Sequence, residues 1–271
     1  MKQISSAQNP LVKLAASLHK PRERRKQGLF AVEGLREIRL AILNGYSVHT
    51  LLFCEGDLQQ QPEALLGLPA LPDAALAALS RPVFDSLVYR QGVPNALALC
   101  VLEDRPLEQI RLRPDPLLLV LESVEKPGNL GAMLRTADAA GADAVIVADP
   151  LTDLENPNVI RSSLGARFTV QVAAAPAPEV IAWLRSRQIR IFASSLQASE
   201  WHDRCDFRPA SALVMGPEAE GLSGIWYEAA DARIKIPMLG QVDSMNVSAS
   251  AAVLLYEAVR QRRAGLAASA L

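Results

Sequence analysis

Residues 211–261 decide the fold, because they combine two short apolar runs, two turns and one long helix. In chain order these parts are Ser211-Ala-Leu-Val-Met215, Gly216-Pro-Glu-Ala-Glu-Gly-Leu-Ser223, Arg233-Ile-Lys-Ile236, Pro237-Met-Leu-Gly240 and the helix opening Ser244-Met-Asn-Val-Ser248. Two buried strands that end in Gly and Pro turns, followed by a helix with Ser and Asn in its first turn, present free backbone N–H and C=O groups. Such a surface can bind a flat polar ligand without a charged side chain.

Length and composition restrict the class of protein. The chain has 271 residues, of which 50% are apolar, and this favours two modest cores over one large one. Cys54, Cys100 and Cys205 form no C-x-x-C pair, so neither a disulfide framework nor a zinc site is indicated. No apolar run approaches the ~20 residues of a membrane span, and the first residues do not resemble a signal peptide. We therefore expect a soluble cytoplasmic protein.

Basic side chains are concentrated near the amino terminus. Residues 1–39 contain nine basic and three acidic side chains, a net charge of +6 in a chain whose total is −1. The densest part is Lys20-Pro-Arg-Glu-Arg-Arg-Lys26, with five cations in seven residues. Such a stretch can contact nucleic-acid phosphates with salt-dependent affinity, or it can be the solvated face of a helix. The stretch alone leaves both interpretations open.

The first hundred residues alternate between strand and helix patterns. Apolar runs and Gly or Pro punctuation predict helices at residues 9–18 and 35–43, strands at 29–34, 48–54 and 96–102, and one or two short helices within 56–78. This pattern describes a small α/β domain over residues 1–103. Residues 104–116 contain three prolines and several charges, and are predicted to be a linker.

Residues 117–271 form a second, more regular domain. We predict strands at residues 117–121, 145–148, 168–172, 189–194 and 213–215, helices at 132–140 and 178–187, and loops at 126–131 and around 156–158. The continuous apolar run 117–121 is typical of a parallel strand that is buried on both faces. In such doubly wound sheets, ligands lie beyond the carboxyl ends of the strands. The loops after Leu121, Met215 and Ile236 are therefore the candidate binding loops.

Common nucleotide and hydrolase motifs are missing from these loops. The loop at residues 126–131 lacks the G-x-x-x-x-G-K-[ST] spacing of a phosphate loop and the G-x-G-x-x-G spacing of a dinucleotide site. There is no H-E-x-x-H motif, and the three histidines are scattered along the chain.

Three segments do resemble, in the correct order, the motifs of the SpoU (TrmH) branch of the SPOUT RNA methyltransferases. They are Lys126-Pro-Gly-Asn-Leu-Gly-Ala-Met-Leu-Arg-Thr-Ala-Asp-Ala-Ala-Gly141, Leu213-Val-Met-Gly-Pro-Glu-Ala-Glu-Gly-Leu-Ser223 and Ile236-Pro-Met-Leu-Gly-Gln-Val-Asp-Ser-Met-Asn-Val-Ser-Ala-Ser250. Each segment alone is a weak pattern of small residues, whereas the three together are specific. The amino-terminal part, from Asn9-Pro10 to Phe30-Ala-Val-Glu-Gly34, is similar to the ribosomal-protein-like α/β domain with which many of these enzymes bind their substrate.

The resemblance implies a fold and an activity. The fold is a parallel-sheet α/β SPOUT domain with a carboxyl-terminal trefoil knot, and the assembly is a homodimer whose active site lies between subunits. The activity is transfer of a methyl group from S-adenosylmethionine to a ribose 2′-hydroxyl of structured RNA. Ribosomal RNA is the preferred candidate substrate. The basic stretch is then expected to contact RNA through residues such as Arg24 and Arg25. Alternatives are tRNA or a base nitrogen as the methyl acceptor, and a non-catalytic RNA-binding assembly protein with the same fold.

The resemblance also assigns site residues. Those at cofactor-contacting positions are Gly216, Ile236, Pro237 and Met245, and those at catalytic positions are Arg135, Asn129, Glu218, Ser244 and Asn246. Core packing is the ordinary alternative for Ile236 and Met245, and helix capping for Glu218, Ser244 and Asn246. Asn129 is expected to fix its loop and Arg135 through hydrogen bonds.

Arg135 matches the family's catalytic arginine. A guanidinium holds its proton tightly and is a poor base, so we expect Arg135 to be essential and to be placed by substrate phosphate, with its role as proton acceptor left open. Lys126 stands where the family often has Asn, which affects substrate choice more than chemistry. Arg161, in a segment that resembles one beside the family's active site, could contact RNA phosphate or form a surface salt bridge.

Overall fold

The computed structural model describes residues 2–55, 62–68, 75–89, 96–198, 200–217 and 220–269, which divide into two compact units. Unit 1 contains the described residues up to Asp104 together with Asp153–Thr169, and unit 2 contains Arg105–Thr152 and the described residues from Val170 onward. The sequence places residues 153–169 in the second domain. They pack within unit 1 because Ile160 and Phe168 are buried in its apolar core beside Phe30.

The regular elements are numbered in chain order. The strands are β1 (Lys2–Ile4), β2 (Leu29–Glu33), β3 (Val48–Cys54), β4 (Ala75–Leu79), β5 (Ala96–Val101), β6 (Leu117–Glu122), β7 (Ala144–Ala148), β8 (Gln171–Ala175), β9 (Arg190–Ser194), β10 (Glu200–Trp201), β11 (Ser211–Met215) and β12 (Ala232–Lys235). The helices are α1 (Pro10–Ser17), α2 (Pro21–Gln27), α3 (Leu35–Leu43), α4 (Pro62–Leu66), α5 (Arg81–Asp85), α6 (Pro127–Ala139), α7 (Pro157–Ser163), α8 (Ala166–Thr169), α9 (Ala177–Ser186), α10 (Gly224–Ala229) and α11 (Val247–Ser269). None of the helices in the described part of the chain combines the length and apolar character that a transmembrane span requires.

Unit 1 is a mixed sheet covered on both faces. Its strands lie in the order β1-β4-β3-β5-β2, with β1, β4 and β3 parallel and β5 antiparallel to both of its neighbours. Side chains of a strand alternate between faces, so Leu52 packs with α1 and α5 on one side, and Leu51 and Phe53 pack with α3, α4, α7 and α8 on the other. Asn9 caps α1 by accepting a hydrogen bond from the Leu11 amide at 2.9 Å.

Unit 2 is a parallel sheet of seven described strands in the order β10-β12-β9-β11-β6-β7-β8. Helices α9 and α10 cover one face through Trp183 and Trp226, while α6 and α11 pack together on the other. Strand β11 pairs with both β6 and β9, and β12 pairs with both β9 and β10. The predicted parallel α/β domain, preceded by a smaller α/β domain, is confirmed.

Several predicted elements differ from the structure in type or extent. Residues 126–131 were expected to form a loop, but α6 already begins at Pro127, whose fixed φ suits the first helical position. Phe168 was expected to open a strand, but it lies in α8, and β8 begins at Gln171. The expected loop around residues 156–158 is the start of α7, which Asn156 caps through the Asn158 amide at 2.9 Å. Strands β1 and β4 were not predicted.

Candidate active site

A cavity of about 540 Å³ lies at the carboxyl-terminal edge of the unit 2 sheet. Its lining comes from the ends of β9, β11 and β12 and from the start of α11. Parallel strands all end at one edge, so loops that are far apart in the sequence meet there. A cavity of this size is within the range that binds drug-sized ligands.

Three of the four predicted cofactor positions line this cavity. Gly216, Ile236 and Met245 lie on its wall, and Met245 keeps 36% of its surface exposed. Pro237 follows Ile236 but is not among the described residues that line the cavity. The segments that carry these residues come from β11, from β12 and from the approach to α11, and the structure brings them together.

Gly216 is required by the path of its own loop. A Cβ atom at residue 216 would lie 2.6 Å from the backbone of both Gly221 and Leu222, a separation that side chains do not adopt. The loop closes on itself through a hydrogen bond from the Gly221 amide to the Pro217 carbonyl at 3.1 Å. Glycine therefore permits the tight return of the chain at the edge of the cavity.

The predicted polar residues of the third motif have different surroundings. Ser244 lines the cavity. Asn246 caps α11, because its Oδ1 accepts a hydrogen bond from the Ser248 amide at 3.0 Å, and its Nδ2 donates to Oδ1 of Asn129 at 3.4 Å. Asn246 therefore fills both the capping role and a bridging role between the first and third motifs.

Asn129 and Arg135 lie on the same helix and are not joined by a hydrogen bond. Asn129 is in the first turn of α6, and its Oδ1 accepts a hydrogen bond from Asn246. Arg135 is exposed, and its guanidinium makes no hydrogen bond or ion pair with any residue that the structure describes. It does not line the cavity of its own chain. Glu218 lies outside the described residues.

Several lining residues were not predicted. The segment of residues 194–197 after β9 forms one side of the cavity, and Tyr227 of α10 forms another, with the Arg233 guanidinium 5.1 Å from the centre of its ring. The Ser194-Ser195 pair directly after an apolar strand is the sequence signal that could have identified the first of these. Tyr227 has no such signal, because only the packing of α10 brings it to the cavity.

Glu122 is a buried carboxylate at the end of β6 that holds the loop of the second motif. It accepts hydrogen bonds from the Ser223 amide at 2.8 Å and from the Ser223 hydroxyl. With 4% exposure, its charge is compensated mainly by these donors. The loop after Leu121 was predicted to bind ligand directly. Its first residue, Glu122, instead supports the loop of the second motif through Ser223.

The basic stretch forms helix α2, and one of its cations points inward. Arg24 is 1% exposed, whereas Lys20, Arg22, Arg25 and Lys26 are exposed. The expectation that Arg24 contacts RNA is therefore wrong, because its guanidinium is enclosed by unit 1. The described residues contain no group of three or more His, Cys, Asp or Glu side chains placed to hold an ion.

Comparison with known proteins assigns this architecture to a family. Residues 116–256, which contain the three motifs and all the lining residues of the cavity, match the SpoU rRNA Methylase family. The chain belongs to the SpoU rRNA methylase family. Residues 9–98 match the MRM3-like substrate binding domain, so the resemblance predicted for both parts of the chain is confirmed.

Similar proteins align over nearly the whole chain. The 23S rRNA (uridine(2479)-2′-O)-methyltransferase of Streptomyces viridochromogenes is 32% identical over 91% of this chain and 88% of its own length. The crystal structure of an RNA 2′-O ribose methyltransferase is 42% identical, with a TM-score of 0.82 over 96% of this chain and 99% of that one. The SpoU methyltransferase AviRb from Streptomyces viridochromogenes, in complex with the cofactor AdoMet, has 30% identity and a TM-score of 0.86 over 94% and 99% of the two chains.

Proposed function

We propose that this protein transfers a methyl group from S-adenosylmethionine to a ribose 2′-hydroxyl of structured RNA, and that ribosomal RNA is the substrate. The observation that supports this most directly is the meeting of Gly216, Ile236 and Met245 at one cavity in a chain of the SpoU family. Relatives that align over most of the chain are named as 23S rRNA 2′-O-methyltransferases. Cytoplasm is the compartment that this substrate implies.

The cavity suits S-adenosylmethionine in size and chemistry. Ile236 and the half-exposed thioether of Met245 offer apolar contacts for an adenine ring, and the loop at Gly216 offers backbone N–H and C=O groups. The sulfonium of the bound cofactor supplies an already activated methyl group, so precise placement of the acceptor can provide much of the acceleration. The protein's task is therefore to hold two reactants in line, and we assign no metal.

Ser244, Asn246 and Asn129 are proposed to order the acceptor side of the site. Ser244 lies at the cavity, and the Asn246 to Asn129 hydrogen bond ties the start of α11 to the first turn of α6. This link positions α6 and with it Arg135. A guanidinium keeps its proton beside a phosphate, so we assign Arg135 to binding and orienting the RNA backbone. Glu218, two positions after Gly216 in the second motif, remains a proposed catalytic residue.

We propose that the working form is a homodimer, in which Arg135 of one chain serves the cavity of the partner. Along α11, Ala249, Val253 and Tyr256 form an exposed stripe in which Val253 and Tyr256 are 37% and 50% exposed. On α6, Arg135 lies among the exposed small residues Gly128 and Ala139 and the half-buried Ala132. Small and apolar side chains at helical spacing are suited to close helix packing between identical chains. The trefoil knot of the family is part of the same proposal, and the insertion of β11 between β6 and β9 supports it.

Unit 1 is proposed to bind the RNA. The exposed cations of α2 are Lys20, Arg22, Arg25 and Lys26. They can release counterions from the RNA backbone and give salt-dependent affinity. This contribution does not depend on sequence, so specificity must come from other contacts.

The test is transfer of label from tritiated S-adenosylmethionine to RNA, followed by nuclease digestion and identification of the labelled nucleotide. We expect a 2′-O-methylated nucleotide in ribosomal RNA, with purified ribosomal subunits and naked RNA compared in parallel. Label in tRNA alone or on a base nitrogen would replace the proposed substrate or acceptor. RNA binding without transfer to any of these would favour the non-catalytic assembly protein.

A further inference from the structure

Unit 1 contains a cavity of about 220 Å³. Its apolar wall includes Ala31, Leu97 and Ile160, and its polar wall includes His19, Glu37 and Tyr89. The volume is below the range of pockets that bind drug-sized ligands, so the cavity fits a group of the size of one nucleobase.

Glu37 is a buried carboxylate that lines this cavity. It is 8% exposed, and it makes no hydrogen bond or ion pair with the residues that the structure describes. As the third residue of α3 it could bond back to the amide of the N-cap residue Gly34, but that amide donates to the Ala96 carbonyl at 3.1 Å. A Cβ at Gly34, where φ is +105°, would lie 2.5 Å from Glu37 Oε2. Glycine therefore makes room for the carboxylate, and the start of α3 favours its charge.

The aromatic side of the cavity is built by His19 and Tyr89. Their ring centres are 4.9 Å apart in an edge-to-face contact, and the Arg161 guanidinium lies 5.5 Å from the centre of the Tyr89 ring. The Tyr89 amide donates to Glu33 Oε2 at 2.8 Å, so Glu33 has a partner at this wall. Nδ1 of His19 is buried and has no hydrogen-bond partner among the residues whose positions the structure gives. Burial and the nearby charge of Arg24 lower the pKa of His19, so its ring is neutral at pH 7.

We propose that this cavity binds one unpaired guanine base of the RNA substrate, with the two adjacent N–H donors of the base directed at the Glu37 carboxylate. An ionised carboxylate only accepts hydrogen bonds and can accept two in parallel. Guanine is the one standard base with two adjacent N–H donors, N1–H and N2–H, on its Watson–Crick edge. Unpaired bases in RNA loops expose that edge to proteins. The exposed cations Arg36 and Arg161 also line the cavity and can meet the attached phosphates.

This inference rests on the proposed function only in taking RNA as the substrate. A free guanine nucleotide presents the same Watson–Crick edge, so it is tested as a competitor. The experiment uses the full-length protein without cofactor and measures fluorescence anisotropy with labelled pentaribonucleotides. The probes have a central guanosine, inosine or adenosine between adenosines, and inosine lacks only the N2 amino group. We expect the guanosine probe to bind roughly tenfold more tightly than the inosine probe. Guanosine monophosphate is expected to compete weakly, because it lacks the flanking phosphates.

Variants assign the preference to the cavity. Glu37→Gln has nearly the same shape and should remove the preference for guanosine over inosine, and Leu35→Trp should do the same by filling the cavity from its half-exposed rim. Glu23→Gln on α2 is the matched control, since it removes the same charge outside the cavity and should keep the preference.

The ratio of the two affinities is the readout, because loss of a negative charge tightens binding to every RNA. Equal affinities in the unmodified protein, or a preference that survives both cavity substitutions, would overturn the assignment. If guanosine monophosphate bound with the affinity of the guanosine pentamer, the cavity would be a site for a free nucleotide, and the assignment to an RNA base would also be overturned. Methyl transfer is measured separately, so the preference for guanosine over inosine can be interpreted even if no methyl transfer is detected.

Discussion

Arg24 forms an ion pair with Asp153, although 129 positions separate the two residues in the chain. Its Nε donates to Asp153 Oδ2 at 3.1 Å, and its Nη1 donates to the Leu18 carbonyl at 2.7 Å. The side chain is 1% exposed, so its guanidinium cannot meet a phosphate. One cation of the basic stretch therefore joins residues 153–169 to the amino-terminal part of unit 1, and the other four remain exposed for RNA.

Arg24→Ala should destabilise the protein by about 3 kcal/mol, because it leaves Asp153 and two backbone carbonyls without their donor. Arg25→Ala, on the exposed side of the same helix, should change the free energy of unfolding by less than about 0.5 kcal/mol. Arg25→Ala should instead weaken RNA binding and reduce its salt dependence by about one phosphate contact. Urea unfolding and salt titration of RNA binding measure the two effects. Equal stability of both variants would show that the Arg24 contact is unimportant for the fold.

Gly216→Ala should abolish S-adenosylmethionine binding, because the added methyl group would lie 2.6 Å from backbone atoms that cannot move independently of the loop. Gly224→Ala and Gly240→Ala are matched controls, since a Cβ at either residue meets no atom within 4 Å. Isothermal titration calorimetry with S-adenosylmethionine should give wild-type affinity for the controls and a loss of at least roughly a hundredfold for Gly216→Ala, about 2.7 kcal/mol. Unchanged affinity of Gly216→Ala would remove this loop from the binding site.

The sequence predicted those elements whose signal is local. The apolar run of β6 and the Gly and Pro turns after β11 and β12 located the candidate binding loops, and the resemblance to the SpoU family assigned the site residues within them. Strand β4, Ala75–Leu79, was missed because alanine and leucine favour helices, and only pairing with β1 and β3 makes this segment extended. Arg24 and Arg25 are adjacent identical residues, and nothing in the charge pattern tells which one is buried.

The errors at the candidate site have the same origin. Asn129 was assigned to a loop because Pro and Gly precede it, whereas Pro127 begins the helix. One partner of Asn129 is Asn246, 117 positions later, a contact that the packing of α6 against α11 creates. Tyr227 and residues 194–197 reach the cavity through the order of strands in the sheet, which follows from no local pattern.

Asp143 should make unit 2 sensitive to acid. Burial raises the pKa of its carboxyl, but hydrogen bonds from Arg113 and from the amides of Leu117 and Arg113 outweigh burial, so the pKa lies below its ordinary value. A lowered folded-state pKa stabilises the protein above the unfolded-state value of about 4, and this contribution is lost as the pH falls through the folded-state pKa. Asp143→Asn should therefore cost about 2 kcal/mol at pH 7.

The cost of Asp143→Asn should shrink as the pH falls below about 4, because protonation of this carboxyl in the unfolded wild-type chain then offsets the advantage of the ionised group in the folded protein. Urea unfolding of both proteins at pH 7 and near pH 3 measures this, with Asp104→Asn as the control at an exposed aspartate. A difference between wild type and Asp143→Asn that is the same at both pH values would show that the charge of Asp143 contributes nothing to stability.

The sharpest test of a shared active site combines two inactive chains. Arg135 is exposed on α6 and does not line the cavity of its own chain, so Arg135→Ala and Gly216→Ala should inactivate different halves of one composite site. A heterodimer of the two variants, co-expressed with different tags and purified, has one site with both residues intact and should regain roughly half of the wild-type activity. A chain with both substitutions, paired with a wild-type chain, should have no activity, since each site then lacks one residue. If Arg135 instead acted within its own chain, the first heterodimer would be inactive and the second would retain about half of the activity.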